Sequence, residues 1–418
     1  MLVDFRVSNF RSIQTEQTLS LVASSDQSLG QSNTTPTDTL GVPAVLRSAA
    51  IYGANASGKS NMIMALGFFR GVIAESATLM QPTQKFGVQP FRLDPQSLEQ
   101  PCLFEMTFLL KGVRHQYGFK ITADRVIEEW LLVYKTKKPQ QWFSRRYNSE
   151  TKIDEYEYSV HLTGPRKTWQ EATRSNSLYL STAVQLNSEQ LRVVYDWIVN
   201  DIVFFVPGTL PAPEFTVSQM SDSTFRESLQ KFLSSADVSI DKVDVVSRKG
   251  IQQQFKMDFA SGRVESLRQE SDMNVPQFHH RTDAGSAVFE LHEESLGTQR
   301  LFAMAGPLMD ILQKGRLLIV DELDTSLHSL LTRRLIEAFH SSLNLQGRAQ
   351  LIFSTHDTSL LDQEIFRRDQ IWFTEKNKAQ ATTLYPLSDF GPRKNEALEK
   401  GYLVGRYGAI PFLTEMSW

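Results

Sequence analysis

The octapeptide Gly53-Ala54-Asn55-Ala56-Ser57-Gly58-Lys59-Ser60 follows the apolar run Ala49-Ala50-Ile51-Tyr52 and precedes a stretch in which Met62, Ala65, Leu66 and Phe69 recur with helical spacing. A buried strand, a glycine-rich turn and an amphipathic helix in that order fit the phosphate-loop pattern G-x-x-x-x-G-K-[ST] in its proper context. This commits the region to an α/β fold, because the loop needs a strand to deliver it and a helix to start from it. Glycines at 53 and 58 allow a tight turn whose N–H groups face a triphosphate, with the positive end of the helix behind them. Lys59 is placed to neutralise the β- and γ-phosphates, and Ser60 to ligate Mg²⁺ through its hydroxyl. Asn55 and Asn61 fall in the same nucleotide-contacting set. A chance match in a Gly/Ser loop is the bland alternative, and the flanking strand and helix argue against it. GTP is disfavoured because the guanine-reading [NT]KxD is missing: Asn377-Lys378-Ala379-Gln380 lacks the Asp. ATP with Mg²⁺ is therefore expected.

A second apolar run, Leu317-Leu318-Ile319-Val320, delivers Asp321 and Glu322 to the C-terminal edge of a sheet, where ligands of open α/β sheets bind. Hydrolysis needs one carboxylate to hold the Mg²⁺ shell and another to orient and polarise the attacking water. Asp321 suits the first role and Glu322 the second. An acidic pair after an apolar strand can also be helix N-cap chemistry, but the upstream phosphate loop favours the catalytic reading.

The rest of the chain falls into recognisable stretches. Val3, Phe5 and Val7 alternate with polar residues as an opening strand, and residues 22–44 read as a surface loop. No helix is expected over residues 80–100. From Phe104 the period becomes two, with Lys111-Gly112 as a hairpin turn and further strands at Trp130 to Tyr134 and Gln141 to Arg145. Helical stripes return with Leu191, Val194, Tyr195 and Ile198, and with Phe225, Leu229, Phe232 and Leu233. No heptad is sustained over several repeats, so no long coiled coil is expected. Residues 250–287 are polar and carry no clear pattern, and the adjacent His279 and His280 make a poor metal pair. The C-terminal third alternates helix and strand, with Leu327, Leu331, Leu335 and Phe339 on one helix and Gln350 to Phe353 as a buried strand.

At 418 residues the chain is long enough for two or three domains. A net charge of −3 removes bulk attraction to nucleic acid without excluding a local basic patch. Cys102 is the single cysteine, so no internal disulfide is possible, and it reads as buried and structural. No apolar stretch approaches the roughly 18 residues of a membrane span, and no signal layout opens the chain, so a cytoplasmic location without membrane contact is expected.

Two further phrases narrow the class: SLGTQR at 295–300, heading an amphipathic helix, and STHD at 354–357, after the next strand. With the loop and acidic pair, they resemble ATP-binding-cassette ATPases of the chromosome-maintenance, RecF-like and overcoming-lysogenization-defect kind. The resemblance implies that Ser295 and Gly297 form a signature acting across a homodimer or higher homo-oligomer, and that His356 senses the γ-phosphate. It makes Asp324, Ser326 and His328 a dimer-contacting loop and offers Gln89 as the glutamine touching Mg²⁺ and water. SLGTQR departs from the transporter signature LSGGQ. With the large insertion between loop and signature, this disfavours a transporter ATPase.

Asn9-Phe10-Arg11-Ser12 and the tail phrases QIWFTEK, LSDF and YLVGRYGAIPF are similar to a narrower group, the RloA and AbiL-like anti-phage defence ATPases. That resemblance alone implies abortive infection, a Toprim- or RNase-like effector nuclease as partner, and a nucleic-acid or phage-derived trigger. A RecF-like repair or recombination ATPase that binds DNA directly shares every nucleotide motif and stands as the alternative.

The expected fold is an α/β, P-loop ABC-type ATPase head with a central mixed or parallel sheet, an antiparallel β lobe and a helical insertion. Residues 1–100 hold the N-terminal half of the core, 101–163 the β lobe, 164–287 the helical insertion, and 288–418 the C-terminal half. The apolar tail from Gly401 to Phe412 either packs on its own core or docks a partner through Arg406 and Tyr407.

Overall fold

The computed structural model describes every residue except 206–210, 236–239, 259–262, 326–328, 342, 345–346, 395 and 412–418. Ser326, Leu327, His328 and Phe412 therefore lie outside the described residues. The chain divides into two compact units, one of Met1–Pro207 with Ile311–Trp418 and one of Gly208–Asp310.

In the first unit six strands form a sheet in the order Ile202–Phe205, Leu317–Val320, Gln350–Ser354, Ser48–Gly53, Ile371–Lys376, Thr382–Pro386. The first five run parallel and the last is antiparallel to its neighbour. The strands at 48–53, 317–320 and 350–354 are buried along their whole length, which is why each reads as an unbroken apolar run rather than an alternation. A seven-stranded antiparallel sheet runs from Ile153–Tyr158 through the strands of residues 102–148 to Leu2–Ser8 and Gln17–Ser20. The opening strand thus joins this sheet through Cys102–Leu110. Lys111 and Gly112 both have positive φ, 49° and 78°, as a two-residue hairpin turn between right-twisted strands demands.

The helix Lys59–Glu75 buries Met62, Ala65, Leu66, Phe69 and Ile73 in one core cluster with residues of both sheets, among them Phe5, Phe119, Ile51 and Ile352. Phe69 stacks on Phe119 at 5.4 Å and meets Phe5 edge-on at 5.8 Å. Cys102 is buried, and its thiol donates to the Asn9 carbonyl.

Several stretches differ from the sequence reading. Within residues 22–44, Thr34–Thr39 pairs with a strand at Val42–Leu46, and Pro95–Glu99 forms a short helix capped by Asp94. Over 164–287, helices occupy Arg166–Ala172, Tyr179–Gln185, Glu189–Asn200, Pro213–Gln219 and Ser223–Ser235. Beyond them Lys242–Asp258, Arg263–Thr282 and Gly285–Glu290 form an antiparallel sheet within the second unit. Its sequence is polar along most of its length, so the apolar alternation that announces a half-buried strand is missing. The tail packs back on its own core. Tyr407 is 1% exposed, and with Tyr402 it stacks on Phe373, while Arg406 pairs with Glu396 at 2.7 Å. Tyr407 is therefore no surface anchor. Among the described residues no helix is long and apolar enough to cross a membrane.

Candidate active site

The phosphate loop leaves the sheet at Gly53 and returns as a helix at Lys59. Lys59 is buried, and its Nζ folds back over the loop to donate to the carbonyls of Gly53 at 2.8 Å and Ala54 at 3.2 Å. Burial lowers its pKa, and the charges of Asp321, Glu322 and Asp324 pull it back up. Both pattern glycines are sterically required. Gly58 has φ +115°, and a Cβ there would run into Thr382; one at Gly53 would lie 2.5 Å from the Thr374 carbonyl oxygen. Asn55 is exposed, Ser60 is half-buried at the second helical position, and the Asn61 amide donates to Ser12 Oγ at 2.5 Å.

The acidic residues stand at the C-terminal end of the neighbouring strands. Ser354 Oγ donates to Asp321 Oδ1 and accepts from the Glu322 N–H at 2.8 Å, so one hydroxyl fixes both residues of the pair. Glu322 has φ 52°, a left-handed conformation costing about 1–2 kcal/mol for a residue with a side chain, and such strain persists where its surroundings impose it. The Leu323 N–H donates to the Ser354 carbonyl at 3.0 Å, and Thr325 returns to the Glu322 carbonyl through both its N–H and its hydroxyl. The Asp324 carboxylate accepts the His356 N–H at 3.3 Å. His356 itself is exposed. Its pKa is lowered first by partial desolvation and then by the Lys59 charge, with Asp324, Glu322 and Asp321 acting the other way. Lys59, Asp321, Glu322, Asp324 and His356 thus share one electrostatic neighbourhood.

Beside the loop lies a cleft of about 280 Å³ lined by Arg11, Ser12, Asn61, Gln89, Arg92 and Lys376 among others. Among the described residues, three cations and no carboxylate line it. Gln89 is half-buried, and its backbone carbonyl accepts from the Arg11 N–H at 2.7 Å. The turn carrying Arg11 and Ser12 is tight, with φ near +50° at both Asn9 and Arg11. Asn9 holds it by donating to the carbonyls of Ser97 and Gln100 and accepting from the Phe91 N–H. Reasoning from sequence missed Ser12, Ser354, Thr374, Lys376 and Thr382 as parts of the site. Ser12, Ser354, Thr374 and Lys376 sit inside phrases singled out for other reasons, whereas Thr382 carries no local signal.

Ser295 and Gly297 belong to the second unit. Ser295 caps the helix Leu296–Lys314, its Oγ accepting the Thr298 N–H at 3.1 Å and bonding Thr298 Oγ1 at 2.9 Å. Gly297 is exposed, and a Cβ there would meet only Ser295 Oγ at 3.7 Å.

The family described as "AAA domain, putative AbiEii toxin, Type IV TA system" matches residues 48–362. No curated protein matches the chain. Among solved structures it is similar to the SMC head domain from Thermotoga maritima, at 14% identity and a TM-score of 0.39 over 92% of this chain and 98% of that one. An Smc head domain with an extended coiled coil, bound to the C-terminal domain of ScpA derived from Pyrococcus furiosus, is 11% identical with a TM-score of 0.36, covering 97% and 98%. The transporter component cbiO1 from Clostridium perfringens is 9% identical with a TM-score of 0.30, covering 98% and 96%.

Proposed function

The chain belongs to this AAA-domain family, with the fold of a P-loop ABC-type ATPase head, and from that premise we propose that it binds and hydrolyses ATP with Mg²⁺ at the site around Lys59. The observation that carries this is the gathering of Lys59, Asp321, Glu322, Asp324 and His356 where parallel strands end. The donor set fits the metal: a serine hydroxyl at 60 and a carboxylate at 321 are the hard oxygens Mg²⁺ takes, leaving further positions to phosphate and water. Bound there, Mg²⁺ supplies charge neutralisation at the phosphates.

Lys59 leaves the Gly53 and Ala54 carbonyls to meet the β- and γ-phosphates, and the backbone N–H groups of 54–60 cradle them. Glu322 orients and polarises the attacking water. His356 is a γ-phosphate contact, and Asp324 holds the turn that presents it. Arg11, Arg92 and Lys376 suit the remainder of the nucleotide, with Gln89 on the same wall. Ser295 and Gly297 act on the site of a second copy, so that ATP draws two heads together.

The role we assign to this ATPase is control of a partner effector nuclease in anti-phage defence. Two things support it: the resemblance of the tail phrases to RloA and AbiL-like ATPases, and a family description that reads "putative AbiEii toxin, Type IV TA system". Direct DNA loading in repair is the competing outcome.

Hydrolysis is tested with Glu322→Gln, which keeps shape but removes the charge. It should lower turnover on the order of 10²–10⁴-fold while ATP still binds, whereas Lys59→Ala should lose binding itself. Parental turnover by Glu322→Gln would remove Glu322 from the mechanism. Co-purification from source cells tests the partner: tight DNA binding by the ATPase alone, with no second protein recovered, favours repair.

A further inference from the structure

We propose that Thr382 is a positioning residue of the phosphate loop, holding the Ser57–Gly58 peptide in the orientation that nucleotide binding uses; this rests on the reading of the loop as an ATP site. Thr382 opens the final strand of the central sheet, more than 300 residues along the chain from the loop, and is 1% exposed. Its hydroxyl has one proton to give. The geometry assigns that proton to the Ser57 carbonyl, 2.8 Å away, because the other two neighbours can both donate. These are Lys376 Nζ at 3.1 Å and Ser12 Oγ at 2.8 Å, the latter taking its own hydrogen bond from the Asn61 amide at 2.5 Å. The chain of bonds runs from Asn61 through Ser12 and Thr382 to Ser57 with every donor and acceptor role consistent. A backbone bond from the Thr382 N–H to the Ser12 carbonyl at 2.7 Å fixes the register between the two segments.

The consequence follows from peptide geometry. In a planar trans peptide the C=O and N–H point in opposite directions. Tying the Ser57 carbonyl to Thr382 therefore sends the Gly58 N–H out of the opposite edge of the peptide group, within the same plane but antiparallel to the carbonyl. The Thr382 side chain also fills the space above Gly58 that a Cβ would need, so the same residue sets the peptide's orientation and excludes a side chain at 58. On the other flank, Thr374 Oγ1 bonds Ser57 Oγ at 2.7 Å, holding the side chain of the residue whose carbonyl Thr382 holds.

The test compares Thr382→Val, which keeps the shape and loses the hydroxyl, with Thr382→Ser, which restores it, and with Thr382→Ala as a second hydroxyl-free variant. MgATP affinity, melting temperature without nucleotide, and hydrogen exchange of a peptide covering 53–60 in the nucleotide-free protein are measured. Thr382→Val removes a hydroxyl with three partners, of which the bond to the Ser57 carbonyl is the one that orients the loop, and is expected to bind MgATP about tenfold more weakly, with faster exchange confined to the loop peptide and a melting temperature within about 2 °C of the parent's. Thr382→Ser should recover most of the affinity. Unchanged loop exchange in both hydroxyl-free variants would overturn the proposal, and so would faster exchange throughout the protein with a lowered melting temperature, which marks a general structural role. Wild-type protein that binds no MgATP would refute the ATP reading instead, and the exchange measurement, which needs no nucleotide, would still decide the role of Thr382.

Discussion

Glu129 is fully buried in the antiparallel sheet, and replacing it with alanine should destabilise the region where that sheet meets the helix Tyr179–Gln185. One carboxylate oxygen accepts from the Tyr117 hydroxyl at 3.0 Å and the Leu180 N–H at 2.9 Å, and the other accepts from the Tyr179 N–H at 2.6 Å. Two of those donors are among the N–H groups that the start of a helix cannot satisfy internally. Burial pushes the Glu129 carboxyl above its ordinary range, and Arg145, itself buried, leads the interactions that draw it back. Glu129→Ala leaves three donors without a partner, while Arg145 keeps its ion pair with Asp154 at 2.9 Å. At about 1–3 kcal/mol for each orphaned buried donor, and allowing for water entering the vacated space, the loss should be about 3–5 kcal/mol. Tyr117→Phe removes one donor and its share of the acceptor, and should cost about 1 kcal/mol. Because the two share a hydrogen bond, the double variant should be less destabilised than the sum. Native-state hydrogen exchange of a peptide spanning Tyr179 and Leu180 reads this directly, with at least about a hundredfold faster exchange expected for Glu129→Ala. A change of less than about fivefold, or strict additivity with Tyr117→Phe, would refute the account of Glu129 as the cap of that helix.

The second prediction concerns pH. Burial, with the Arg47 charge adding to it, lowers the His340 pKa from 6.5 to about 3, and the neutral ring accepts from Ser48 Oγ at 2.9 Å. Between these values the unfolded chain takes up a proton that the folded one refuses. Stability is therefore fully present above pH 6.5 and falls as pH drops toward 3, by up to about 1.4 kcal/mol per unit. Urea unfolding of His340→Gln at pH 7 and 4.5 should show about 2–3 kcal/mol less acid destabilisation than the parent. Another prediction tests assembly: Gly297→Asp should bind ATP without hydrolysing it, and mixing it with Lys59→Ala should recover part of the activity. No recovery in verified hetero-oligomers would count against composite sites. Ser354→Ala removes the hydroxyl that fixes Asp321 and Glu322, and turnover should fall about tenfold or more with ATP affinity less affected.

What the sequence determined by itself is confined to features whose cause is local. The loop from Gly53 to Ser60 is legible because each glycine answers a backbone need at its own position. The buried strands at 317–320 and 350–354 are legible because a strand covered on both faces must be apolar throughout, and the hairpin at Lys111-Gly112 because its turn needs two residues at positive φ. Asp321 and Glu322 could be named because they follow such a strand directly, and His356 through the resemblance carried by the phrase STHD. Tertiary structure alone decided the rest. Thr382, Thr374 and Lys376 come to the loop from more than 300 residues away, as hydroxyls and an amine with no periodicity to mark them. The polar strands Lys242–Asp258 and Arg263–Thr282 are held in register by each other, and pairing between two segments is not written in either one. The tail shows the same limit. Its aromatics suit a partner's surface or the chain's own core equally well, and only the position of Phe373 decides that Tyr402 and Tyr407 stack inward. Local patterning encodes what each segment can be, whereas the choice among possible partners depends on which surfaces the closed chain brings within contact distance.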